Sequence, residues 1–129
     1  METRLLELAA GIEYWVALHR RTTKWAAKRS DIESHAHGLA LHIGKPFRDW
    51  VGDPAEWARR FWDTYNVLKH RPNETYDAYE TSLLAESGAV LLQCALLNRA
   101  GGSRRPAQVI CQSHRYYEVG RQTSELLKS

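Results

Sequence analysis

Cysteine is scarce in this chain: Cys94 and Cys111 are the only two in 129 residues. Two cysteines are too few for a disulfide framework, and neither has a CxxC or metal-type spacing to a histidine. Both lie in apolar stretches, so the expectation is two buried thiols in a reducing compartment. Charge of one sign is scarce too. Eighteen Lys and Arg face 15 Asp and Glu, for a formal net charge of +3, which by itself argues for no nucleic-acid partner. No apolar run approaches the roughly 18 residues that span a bilayer. The N-terminal stretch mixes Glu2 and Arg4 with its leucines, unlike a signal peptide. The expected location is therefore cytoplasmic, with no membrane partner. Gly-rich phosphate loops, GxSxG and HExxH are all missing, and no cofactor or metal is expected. Met1, the only methionine, suits an independent frame or a truncated one equally.

What is present is apolar mass. With 43% hydrophobic residues and five Trp, a core can offset the entropy of ordering the chain. The length fits one domain over residues 1–129. Periodicity is helical throughout, with no strand-like alternation and no repeat. Leu5, Leu8, Ile12 and Trp15 step along one buried stripe of a helix expected from Thr3 to about Lys28. Ser30 or Asp31, with Glu33 beyond, opens a second helix to about Ile43. It carries His35, His37 and His42, expected at the surface or at caps. Residues Pro46 to Gly52 form a linker, with at most a helical turn burying Phe47 and Trp50. Asp53-Pro54 opens a helix to about His70, which Arg71-Pro72 stops. An apolar helix follows from about Ala78 to Ala100. Apolar nearly all round over Val90–Leu97, it is expected to be central. Gly101-Gly102-Ser103 ends it, and Pro106 opens a last helix to about Leu127. The prediction is an all-α, up-and-down bundle of four long helices with one or two short ones.

The helix from Pro54 to His70 carries two stripes. Trp57, Phe61, Tyr65 and Leu68 are its expected core face. Arg59, Asp63, Asn66 and His70 fall within roughly 60° of one another on another face. Local explanations exist for each. His70 suits a helix C-terminus, and Arg59 with Asp63 makes an i,i+4 ion pair. On the last helix, His114-Arg115 with Tyr116-Tyr117 fits a core edge better than a base-stacking platform. Glu7 and Glu13 do not make an acid/base pair.

The segment DTYNVLKHR at Asp63 to Arg71 resembles the signature of HEPN domains, helical bundles that often act as metal-independent RNases in toxin–antitoxin and phage-defence systems. LLELAAGIEYWVALHRR at Leu5–Arg21, FRDWVGDPAEWARRFWDTYNVLKH before the signature and LLAESGAVLLQCALLNRAGGS after it resemble the C-terminal HEPN domain of ApeA-like anti-phage proteins. The resemblance implies a homodimer whose cleft holds an Arg, a following polar residue and a His. By position, Asn66 matches the polar residue and His70 the motif His, the catalytic pair it implies. Tyr65 stands where the Arg is expected. Arg59, Lys69 and Arg71 are the basic residues for RNA contact, with tRNA or mRNA as target. Arg59 lies 11 positions before His70, about 16 Å along the axis at 1.5 Å per residue, too far to share its substrate within one subunit. Four readings follow: an RNase, a non-cleaving RNA binder, a dimerisation or interaction module of a larger defence protein, and a different, small-molecule-binding bundle that an apolar cavity lined by Trp57, Trp62 and Tyr65 would favour.

Overall fold

The computed structural model describes residues 2–19, 32–70 and 77–129. Its helices are α1 (Glu2–Leu18), α2 (Ile32–Ile43), α3 (Lys45–Val51), α4 (Pro54–His70), α5 (Ala78–Gly101), α6 (Arg105–Cys111) and α7 (His114–Lys128). No strand occurs among the described residues, and the all-α bundle expected from periodicity is what forms. The expected continuation of the first helix to Lys28, the Ser30/Asp31 cap and the basic run from Arg20 to Arg29 lie outside the described residues.

Local chemistry explains most boundaries. Asp53 accepts the Glu56 backbone N–H through its carboxylate at 3.1 Å, and Pro54 fills the first helical position, where no N–H is needed. Asp77 does the same for α5, accepting from Glu80 N at 3.0 Å. At the other end of α5, Gly102 takes φ +66°, and its N–H and that of Ser103 turn back onto the Asn98 carbonyl. Glycine adopts this left-handed cap without Cβ strain.

α5 is the central helix. Leu83, Leu84, Val90, Leu91, Cys94 and Ala95 are buried along it, packed on by α1, α2, α4, α6 and α7. Its length and mean hydropathy would also suit a membrane span, which counting unbroken apolar runs does not reveal. The burial comes instead from neighbouring helices. It is not buried all round, however: Leu96 and Leu97 are 55% and 44% exposed. At 100° per residue, Leu96 and Leu97 are rotated by roughly 110–150° from the face that Leu91, Cys94 and Ala95 bury.

Two further expectations are corrected. The segment from Lys45 to Val51 is a full short helix, with Phe47 and Val51 buried and Trp50 half-buried. The last helix is not continuous from Pro106. It breaks at Gln112-Ser113, where Ser113 is extended and its hydroxyl donates to the Ile110 carbonyl at 2.8 Å. The break turns α7 so that Trp50 Nε1 donates to the Tyr116 carbonyl at 3.0 Å. Gly120 admits that indole: a Cβ there would sit 2.3 Å from Trp50 Nε1.

The thiols of Cys94 and Cys111 are both buried and free, with sulfurs 3.9 Å apart. The contact with Cys111, and then burial, push the Cys94 thiol up from its ordinary value, so it stays protonated.

Candidate functional site

The helix that carries the motif is anchored by its first half. Trp57 and Phe61 are fully buried; their rings stack at 5.2 Å, and Phe47 meets Trp57 edge-on at 5.4 Å. Trp57 Nε1 donates to the Ser87 hydroxyl at 2.8 Å, so the buried indole N–H is satisfied on α5. On the outer face Glu56 accepts from Arg59 at 2.7 and 2.8 Å and from Arg60 at 2.8 Å. These guanidinium hydrogen bonds hold the Glu56 carboxyl down at about 2. Arg59 also donates to Asp63 at 2.8 Å. Arg60 reaches Glu80 of α5 and the Ser129 carbonyl.

Beyond Phe61 the burial stops. From Trp62 to Leu68 every residue but the exposed Asp63 is half-buried, and Lys69 and His70 are exposed. Tyr65 and Leu68, expected in the core stripe, pack against its edge without entering it. Over its whole length α4 packs chiefly on α2, then on α1, and least on α5 and α3.

The polar stripe is therefore divided. Arg59 is committed to Glu56 and Asp63, the ion pairing its spacing allows, and lies about three turns from His70. Asn66 and His70 share the half-covered end, His70 as the last helical residue. Lys69 turns back one helical turn: its ammonium donates to the Tyr65 hydroxyl at 2.8 Å and lies 5.3 Å from the ring centroid. The hydrogen bond to Tyr65 raises the Lys69 pKa, and Glu13 of α1 adds a smaller favourable field. Arg71 lies outside the described residues. Among the described residues no group of three or more His, Cys, Asp or Glu side chains could hold a metal ion.

A model of the Apea-like HEPN family matches residues 6–106, which takes in this whole arrangement. The chain belongs to that family. The family resemblance read from the sequence is thereby shown. No curated protein and no solved structure gives a significant match. The matched region ends within α6, and α7 lies beyond it.

One histidine departs from the surface or cap role expected of it. His35 is buried at 3% exposure, with Nδ1 3.4 Å from the Glu13 carboxylate. Its spacing to Leu39 and Ile43 places it on the buried stripe of α2, a signal present in the sequence but outweighed by residue type. His42, exposed in the last turn of α2 as expected, has its ring 5.8 Å from that of Trp15 and feels the charges of Arg99 and Arg104. No spacing in one segment reveals that convergence. His114 and Tyr117 are exposed, while Arg115 lies over the half-buried Tyr116 ring at 5.4 Å.

Proposed function

We propose that this HEPN domain engages RNA as a homodimer of the phage-defence or toxin–antitoxin kind, with the C-terminal end of α4 lining the dimer cleft. The observation that carries the reading is the Tyr65–Lys69 pair. Tyr65 occupies the motif position of the Arg, and its hydroxyl receives the Lys69 ammonium at 2.8 Å. A phenol whose oxygen accepts from an ammonium can still donate its own O–H. The pair therefore offers a hydrogen-bond donor and a positive charge at the tip of residue 65, the two properties a guanidinium brings to phosphate. Asn66 adds an amide beside it. His70, exposed at the helix end, supplies the acid/base group for the 2′-OH or the leaving oxygen. Arg59, held by two carboxylates, serves the helix rather than the RNA.

RNA binding and cleavage by wild type, His70→Ala, Tyr65→Phe and Lys69→Met test this reading. Cleavage of tRNA or mRNA should fall by about 10²–10⁴-fold in His70→Ala. Binding should weaken in Lys69→Met. RNA binding that is absent in the wild type, or unchanged in Lys69→Met, would sink the proposal; equal cleavage by His70→Ala would remove its catalytic role.

A second reading, a non-catalytic dimerisation module of a larger defence protein, is favoured by the apolar side chains left outside. Tyr14, Leu18, Leu96 and Val109 are 70%, 64%, 55% and 60% exposed, material suited to an interface. Sedimentation showing a monomer at micromolar concentration would count against both readings.

A further inference from the structure

The turn between α5 and α6 brings the two cysteines of the chain together. Gly102 reverses the backbone after α5. Asn98 then fastens the two helices, its side-chain carbonyl accepting from the Ala107 backbone N–H at 2.9 Å. Cys94 lies one helical turn before Asn98, and Cys111 one turn after Ala107. The register that pairs Asn98 with Ala107 therefore pairs the cysteines as well, and their sulfurs stand 3.9 Å apart. A disulfide needs about 2 Å, a closure within reach of side-chain rotation on two helices already held together.

The two thiols are not equivalent. Cys94 is fully buried, whereas Cys111 keeps 8% exposure and lines a cleft of about 690 Å³ among α3, α6 and α7. A small solute in that cleft meets the Cys111 sulfur first. The Cys94 thiol donates toward that sulfur, and this hydrogen bond lowers the Cys111 pKa against the opposing effect of burial. A lower pKa enlarges the thiolate fraction, the form that attacks an oxidant. Behind it stands Cys94, the only other thiol in the chain.

We propose that Cys94 and Cys111 form a redox modification site, in which a small hydroperoxide oxidises Cys111 and Cys94 then resolves the product into a disulfide joining α5 to α6. First, the Cys111 thiolate sulfur attacks the peroxide oxygen that bears hydrogen. The O–O bond breaks, the sulfur becomes a sulfenic acid, and the departing alkoxide or hydroxide takes up the proton the thiol had released. The Cys94 sulfur then attacks the Cys111 sulfur. The S–S bond forms as the S–O bond breaks, and the hydroxide leaves as water with the Cys94 proton. Two thiols are oxidised and one hydroperoxide is reduced. A small thiol entering the cleft reverses the change by exchange at Cys111, the accessible sulfur. The site rests on the pairing of α5 with α6 and stands whether or not the α4 end engages RNA.

Hydrogen peroxide added to the fully reduced chain tests it. Free thiols should fall from two per chain to none, the intact monomer should lose two hydrogens in mass, and digestion should yield a peptide linked through Cys94 and Cys111. A reductant should restore both thiols. The oxidised chain should melt higher by roughly 5–10 °C, because the cross-link restricts the unfolded state. In Cys94→Ala the sulfenic acid should persist at Cys111, where dimedone captures it. In a folded Cys111→Ala chain, Cys94 should stay reduced through the same exposure. The wild-type measurements need neither variant. A native chain that keeps both thiols at a peroxide concentration that oxidises the urea-unfolded chain overturns the proposal. So does a cross-link between two chains, an oxidised chain that melts no higher than the reduced one, or dimedone capture at Cys94 in folded Cys111→Ala.

Discussion

The two halves of α4 belong to one unbroken helix yet live in different environments. From Pro54 to Phe61 it buries Trp57, Ala58 and Phe61, and its outer face is cross-linked by Glu56, Arg59 and Arg60. From Trp62 to His70 no side chain is buried, and the polar link within that half runs from Lys69 to Tyr65. The first half holds the helix on the bundle. The second presents it. Site residues on a rigid helix keep their geometry without being buried themselves, and Asn66 and His70 lie on the half that the bundle leaves more open.

Substitutions along α4 should grade accordingly. Trp57→Ala should cost most, about 3–5 kcal/mol in chemical denaturation, since it opens a cavity and removes the indole hydrogen bond to Ser87. Leu68→Ala, on the half-covered end, should cost about 1–2 kcal/mol. A loss matching that of Trp57→Ala would erase the difference between the halves. A Leu68→Ala chain that folds normally but fails to dimerise would sharpen it, by showing that the half-cover is an interface.

Acid should act on the first half. The folded Glu56 carboxyl sits at about 2, below the ordinary 4.5, so its contribution is complete above about 4.5 and is lost as pH falls through about 2. Glu56→Gln should therefore be less stable than wild type at neutral pH, with the gap closing on acidification. Thermal melts at a series of pH values would show it. The gap should be smaller than the Leu68→Ala loss, because exposed pairs are screened by solvent. A gap that does not narrow with acid would mean that the ion pairing is idle. His70→Ala should move stability least, within about 0.5 kcal/mol, as for exposed positions in general. A larger drop by the same melts would assign His70 a structural part and weaken its reading as a group held for chemistry.

α4 was legible to the residue, from Pro54 to His70, because Asp53, Pro54 and Pro72 act within a turn of where they stand. The common face of Asn66 and His70 was legible too, since both lie on one stripe of one helix. The partner of Lys69 was not singled out, although Tyr65 is only one turn away, because either residue had several places to point. The Gln112-Ser113 break was missed, because an apolar, helical pattern continues across it and only packing on Trp50 favours the bend. His35 was misplaced as a surface group when its register with Leu39 and Ile43 put it inside.

The sequence alone determined an all-α chain, most helix boundaries and membership of the Apea-like HEPN family. These depend on periodicity, caps and ordered motifs, all readable over a few residues. Tertiary structure decided which stripes were covered and how far. It left the second half of α4 half-bare and brought His42, Arg99 and Arg104 from three segments to one cavity. Burial and charge convergence are set by which helices meet, and residues more than fifty positions apart carry no shared local signal.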